Sequence, residues 1–184
     1  MPKLLLFVGL LLMFGCHDPE KEYSMPNKKD INEVVKAVIT QGKIFRDTLP
    51  LSIDLYRRGG PRKDFFAFEI DWLLNNKKPF HFQRADSAYF IYQIHHLHHL
   101  LIDTTGLSKI KFTSAKQIGD KKWDERQHFF NNAIMIPVFS LDQKQAYILM
   151  DSYYNIMAGE GYSFTLRKVN GKWYIVHEEL AWQS

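Results

Sequence analysis

The sequence predicts an α+β domain in which N-terminal helices pack on a C-terminal antiparallel meander. Two observations carry this. Apolar residues recur with a helical period early in the chain, at Ile31, Val34, Val35, Val38 and Ile39. Alternating β-branched and aromatic segments crowd the last third, around an Asn170-Gly171 hairpin signal. Helices first and strands last is the pattern of a segregated fold, not of repeated β-α-β units. A length of 184 residues, 46% of them hydrophobic, supports one domain with its own core and argues against several.

The chain opens with Met1-Pro2-Lys3, an apolar run over 4–14, and Gly15-Cys16. Such a run, at about 1.5 Å per residue, falls well short of a roughly 30 Å hydrocarbon core, so it reads as a secretory signal. Cys16 is the single cysteine. That excludes an internal disulfide, a Cys-x-x-Cys redox pair and a multi-cysteine zinc site. Its position resembles that of a bacterial lipoprotein signal, in which the cysteine is acylated and becomes the new first residue. The expected organisation is a signal peptide over 1–15, lipidated Cys16 with a flexible tether over 16–29, and one domain over 30–184. Removing 1–15 takes away one charged residue, Lys3, and leaves no thiol in the folded part. Asp18, Glu20 and Glu22 follow the cysteine, as in surface-export signals of Bacteroidetes-type lipoproteins. His17 stands where an Asp would mark inner-membrane retention, so the outer membrane is the expected location.

Asp30 reads as the N-cap of the first helix, with Glu33 three residues on as in a capping box, and Gly42 as its stop. Leu49, Leu51, Ile53 and Leu55 alternate as in a strand, with Pro50 near its start. Over 65–74 a strand and a short helix both fit. Residues 80–83 suggest a short strand. A second helix is expected from Asp86 to about Ile102, with Phe90, Ile94, Leu97 and Leu101 on one stripe. Residues 109–113 alternate as a strand, and 114–132 is polar, with Trp123, Phe129 and Phe130 as anchors.

The last third is the most legible. A strand over 133–139 is interrupted by Pro137, and 140–144 is a turn. A strand follows over 146–153, with Ile148 and Met150 on one face and Tyr147 and Leu149 on the other. Residues 155–161 read as a loop. Strands over 162–169 and 172–182 flank Asn170-Gly171, two residues that tolerate positive φ in a tight turn.

The chemistry-bearing residues are few. Gln93-Ile94-His95-His96-Leu97-His98-His99 holds four histidines. On a helix His95 and His99 fall on one side, the spacing that places two imidazoles on one metal. The Glu of the zinc-protease motif is absent, and a tight site needs a third ligand. A solvated helix face is the simpler reading. Arg57, Arg58, Arg62 and Lys63 form a basic loop suited to phosphate headgroups or an acidic partner. Its Gly-Gly-Pro lacks the Lys-Ser/Thr of a nucleotide loop. No Gly-x-Ser-x-Gly elbow occurs, and the carboxylate pairs Glu69/Asp71 and Glu178/Glu179 read as rim charges. No cofactor is implied. A net charge of +4 is mild for a nucleic-acid binder.

Ile136-Pro137-Val138-Phe139-Ser140-x-Asp142, Gly159-Glu160-Gly161, Leu166-x-Lys168-x-Asn170-Gly171-Lys172-Trp173 and the terminal Trp182-x-Ser184 together resemble a group of exported lipoproteins of the Bacteroidetes type. Members of that group often carry two cysteines and further glycines where this chain has 153–161. The resemblance implies export and fold and brings no activity with it. A cone of the nuclear-transport-factor-2-like kind is the corresponding fold analogy. The expected role is a non-enzymatic binding domain in the cell envelope, attached to a membrane through Cys16 and contacting an envelope protein or component. A small-ligand pocket or enzyme on a cone-shaped fold is the first alternative. A metal-handling protein built on His95 and His99 is the second.

Overall fold

A computed structural model of the chain describes residues 23–43, 49–56, 74, 82–98, 100–114, 116–117, 130–154 and 158–184. Cys16, the basic loop Arg57, Arg58, Arg62 and Lys63, the ambiguous segment 65–73 and His99 lie outside the described residues.

Helix α1 spans Lys28–Gln41. Its cap is Asn27, not Asp30: the Asn27 side chain accepts the Asp30 N–H at 2.8 Å and donates to the Asp30 carboxylate at 2.8 Å. The reciprocal pair sits one turn earlier than the sequence motif suggested, because Asp30 is buried and engaged by the sheet. Gly42 ends the helix as expected, its N–H bonding the Val38 carbonyl at 3.0 Å. The backbone there is extended rather than left-handed. The expected tether also ends sooner. Tyr23 already packs on Tyr89 and Tyr92, and Ser24 accepts a hydrogen bond from the Tyr89 hydroxyl.

The strands are β1 Leu51–Ser52, β2 Phe112–Thr113, β3 Asn131–Ile134, β4 Val138–Phe139, β5 Gln145–Tyr153, β6 Gly159–Val169 and β7 Lys172–Gln183. They form one mixed sheet in the order β2-β1-β3-β5-β6-β7, with β4 paired to β5 beyond the break at Pro137. The expected antiparallel meander is β3-β5-β6-β7. At its margin β1 runs parallel to both β2 and β3, which the sequence did not suggest. Alternation over 49–55 and 109–113 marks both segments as strands, of which Leu51–Ser52 and Phe112–Thr113 form, but alternation carries no information on strand direction. The Asn170-Gly171 turn takes φ of 50° and 78°, the left-handed pair that matches hairpin twist.

Helix α2 spans Asp86–His96, not 86–102. It closes with the Leu97 N–H on the Gln93 carbonyl, and Leu97 is extended. The following residues are diverted into pairing: the Leu55 N–H bonds the Leu100 carbonyl, and the Ile102 N–H bonds the Ile53 carbonyl. Leu101, expected on the buried stripe, is consequently exposed. Buried Gln93 ties α2 to β4, accepting from the Phe139 N–H at 2.9 Å and donating to its carbonyl at 2.8 Å.

Two cores result, one on each side of β5. Ala146, Ile148 and Met150 join α1, Phe164, Leu166 and Trp173. Tyr147 and Leu149 join Phe82, Phe90, Met135 and Val138. Each aliphatic side chain so buried contributes about 1.5–3 kcal/mol. Tyr89 enters the first core and Phe90 the second, so α2 straddles the two.

Candidate functional site

Of the expected metal pair, His95 is described and His99 lies outside the described residues. His95 is exposed in the last turn of α2, which ends at His96. His96 stacks on Tyr92 at 4.1 Å, with Nδ1 2.8 Å from the Tyr92 carbonyl oxygen. Among the described residues no group of three or more His, Cys, Asp or Glu is placed to hold a metal ion. Nor is any described helix long and apolar enough to cross a membrane.

The polar groups that do converge lie on the β5–β6–β7 face around Asp151. Pairing places Asp151 opposite Gly161, and Gly161 opposite Trp182. Asp151 is buried and accepts from the Trp182 indole N–H at 2.8 Å, from the Tyr153 hydroxyl at 3.3 Å and from the Tyr56 hydroxyl. Two glycines make room for the indole. A Cβ on Gly161 would lie 1.9 Å from Trp182 Nε1, and one on Gly159 would lie 3.1 Å from Trp182 Cη2. The expected loop over 155–161 is therefore wrong in its second half: Gly159 and Gly161 are strand residues that floor an indole. Glycines two apart on one strand, facing a near-terminal Trp, were the legible signal. On the neighbouring strand position, buried Glu160 accepts from the Tyr154 hydroxyl.

Further along the same face, Ser163, Glu179 and His177 form a row. The Ser163 hydroxyl donates to Glu179 Oε1 at 3.5 Å, and His177 Nε2 lies 3.2 Å from Glu179 Oε2. The carboxylate stands between hydroxyl and imidazole. A nucleophilic serine needs the imidazole beside it and the acid behind, so this order does not activate Ser163. The Asp151 cluster likewise spends its acceptors on internal donors. Both arrangements join neighbouring strands through side-chain hydrogen bonds.

Grooves lined by described residues include one along β7 and one beside α2. One of about 510 Å³ runs along β7, the outer strand, lined by Gln41, Lys43, Ile175, His177 and Glu178. Gln41 partly covers this edge, donating to the Trp173 carbonyl and accepting from the Ile175 N–H. The other, about 230 Å³, lies between the start of α2 and the 140–144 turn. Asp86 is spoken for there, accepting the N–H groups of Gln83 and Leu141 at 2.6 and 2.7 Å.

Among the described residues, displaced pKa values fall at Tyr89, Asp30 and Asp103. Burial pushes the Tyr89 hydroxyl up to about 12. Burial works against the Asp30 carboxylate, yet hydrogen bonds from Lys168, Trp173 and Asn27 outweigh it and hold Asp30 below its ordinary value of 3.8. Lys36 and Thr105 hold exposed Asp103 low.

No protein-family model, curated protein or solved structure matches this chain.

Proposed function

We propose that the chain is an exported lipoprotein, held at a membrane through acylated Cys16, that works by binding an envelope component and not by catalysis. The observation that carries this reading is the position of the single cysteine. It follows an apolar run and Gly15, and it precedes Tyr23, which packs on Tyr89 and Tyr92, by a short polar stretch. The outer membrane is the favoured location, since His17 and not Asp follows the cysteine. The binding role is supported by β7, an outer strand that exposes Tyr174, Val176 and Leu180. The order of Ser163, Glu179 and His177 supports the absence of a serine hydrolase mechanism. The finer fold assignment, a nuclear-transport-factor-2-like cone, belongs to the same reading. It is supported by α1 lying against β7 and by two register shifts that bend the β6–β7 pair.

The test is metabolic labelling with an alkyne fatty acid in a bacterial host, comparing the wild-type chain with Cys16→Ser. The wild type is expected to carry label in the membrane fraction and Cys16→Ser to carry none. An unlabelled wild-type chain sinks the anchor. Photo-crosslinkers placed at Tyr174 and Leu180 then test the partner. A discrete protein adduct is expected, and adducts to lipid and abundant porins alone would remove the binding role.

A further inference from the structure

The end of the domain where the tether arrives carries a distinct chemistry. Ser24, close to the tether, accepts from the Tyr89 hydroxyl at 2.7 Å and from the Gln143 amide at 3.4 Å. Gln143 belongs to the β4–β5 turn. Beside it, the Lys144 carbonyl accepts the Lys168 N–H at 2.8 Å, which brings in the β6–β7 hairpin. Lys168 then pairs with Asp30 in the first turn of α1. Four segments thus meet at one end: the tether, the start of α1, the β4–β5 turn and the hairpin tip.

This end is basic and carries exposed apolar side chains. Lys28, Lys29, Lys144, Arg167 and Lys172 are exposed there. Against them stand exposed Asp142 and partly exposed Glu33, the latter 3.8 Å from Lys29, while the tether sequence carries Asp18, Glu20 and Glu22 against Lys21, so the positive excess belongs to the folded tip. Asp30 is already neutralised by Lys168. Leu141 at the turn and Val169 at the hairpin are 40% and 44% exposed. Lysines that snorkel around projecting aliphatic side chains suit an anionic headgroup layer, where each feature is satisfied at its own depth.

We infer that this end is a membrane-docking surface whose occupant is an anionic lipid bilayer, the one that holds the anchor. The inference rests on the proposed acylation of Cys16. Chain length supports it: six residues separate Cys16 from Tyr23, so at about 3.4 Å per residue the tether spans at most roughly 24 Å. A leash that short, arriving among the lysines, keeps the basic end within a few Debye lengths of the surface at ~8 Å each. An acyl chain with a nearby basic patch is also a recognised two-signal way to hold a protein at a bilayer. The long strands β6 and β7 then project away from the membrane and present their far ends to the envelope.

The full acylated chain, reconstituted in vesicles, tests this. Because the native thiol is consumed by acylation, Val169→Cys and Leu141→Cys each supply a unique labelling site, with Gln183→Cys at the far end of β7 as the reference. A bimane label is read against a headgroup-linked quencher in phosphatidylethanolamine vesicles with or without phosphatidylglycerol. Quenching at 169 and 141 is expected to exceed that at 183 by about threefold or more, and to fall when the anionic lipid is omitted or salt reaches ~0.5 M. Lys144→Glu with Lys172→Glu should weaken it in the same way, and their fold is checked by circular dichroism. Equal quenching at both ends, or quenching indifferent to lipid charge, overturns the inference while leaving the anchor intact. A tip shielded by an acidic protein that co-purifies overturns it in favour of protein docking. Mass spectrometry reads acylation separately, and a chain without the acyl mass overturns the anchor and the docking surface together.

Discussion

Two buried carboxylates, Asp30 and Asp151, each join parts of the fold that are distant in sequence, and each makes a testable demand. Asp151 requires Trp182 above it and a bare backbone at Gly161. Gly161→Ala is expected to displace the indole and to cost about 1–3 kcal/mol, the range for forcing atoms into a filled site. In a Trp182→Ala background the same change should cost less, because the ring is gone and only Asp151 Oδ1, 2.6 Å from the added Cβ, still has to give way. Denaturant titration of the four-member cycle measures this coupling, and additive losses would refute the steric account. Asp30 accepts from Lys168 and from the Trp173 indole at 3.1 Å, with Lys168 also lying 5.5 Å from the Trp173 ring centre. Asp30→Asn is expected to cost about 2 kcal/mol at neutral pH through loss of charge-assisted bonds. Since the folded pKa lies below 3.8, the carboxylate stabilises the fold above that value and ceases to do so as pH falls through the folded pKa. The gap between wild type and Asp30→Asn should therefore be flat near neutrality and close below pH 3.8. A gap that persisted into strong acid would show that packing, not charge, is what the substitution removes.

At the scale of elements, sequence and structure agree wherever local chemistry decides the outcome. The alternation in β5, the break at Pro137 and the Asn170-Gly171 turn are set by nearest neighbours, and all three stand. Gly171, at φ 78°, is expected to cost about 1–2 kcal/mol when changed to Val, read as a lowered melting temperature. Sequence and structure differ where distant chain competes. Asp30 has the composition of an N-cap, but Lys168 and Trp173 claim it, and Asn27 takes the role. Asn27→Ala should accordingly lose about 1 kcal/mol, measured by denaturation, whereas Asn27→Asp should retain most of the cap. Helix α2 has periodicity enough to continue past His96, yet the pairing of Leu100 and Ile102 with Ile53 and Leu55 ends it. No window along the sequence contains that competition. The indole floor was missed for a related reason. Gly159-Glu160-Gly161 looks like a loop in isolation and becomes a strand only when Trp182 is placed opposite.

Across the whole molecule, strand length divides the sheet into unequal parts. β5, β6 and β7 run for 9, 11 and 12 residues, and β6 is paired along both sides. β1 and β2 are two residues each and are joined in parallel by chain far apart in sequence. Closing such long loops gains few hydrogen bonds for the entropy lost, so this margin should open without the rest. Amide hydrogen exchange is the measurement. The N–H groups of Leu51 and Ile53, bonded to the Lys111 and Thr113 carbonyls, are expected to exchange about 100-fold faster than those inside the β5–β6 ladder. Equal protection would mean that burial of Leu51 in the main core binds the margin into one cooperative unit. The difference bears on the proposed role. A stiff hairpin that reaches from a basic end near the tether to the far edge of the sheet can fix a binding face relative to the bilayer, while the looser β1–β2 margin yields without disturbing it.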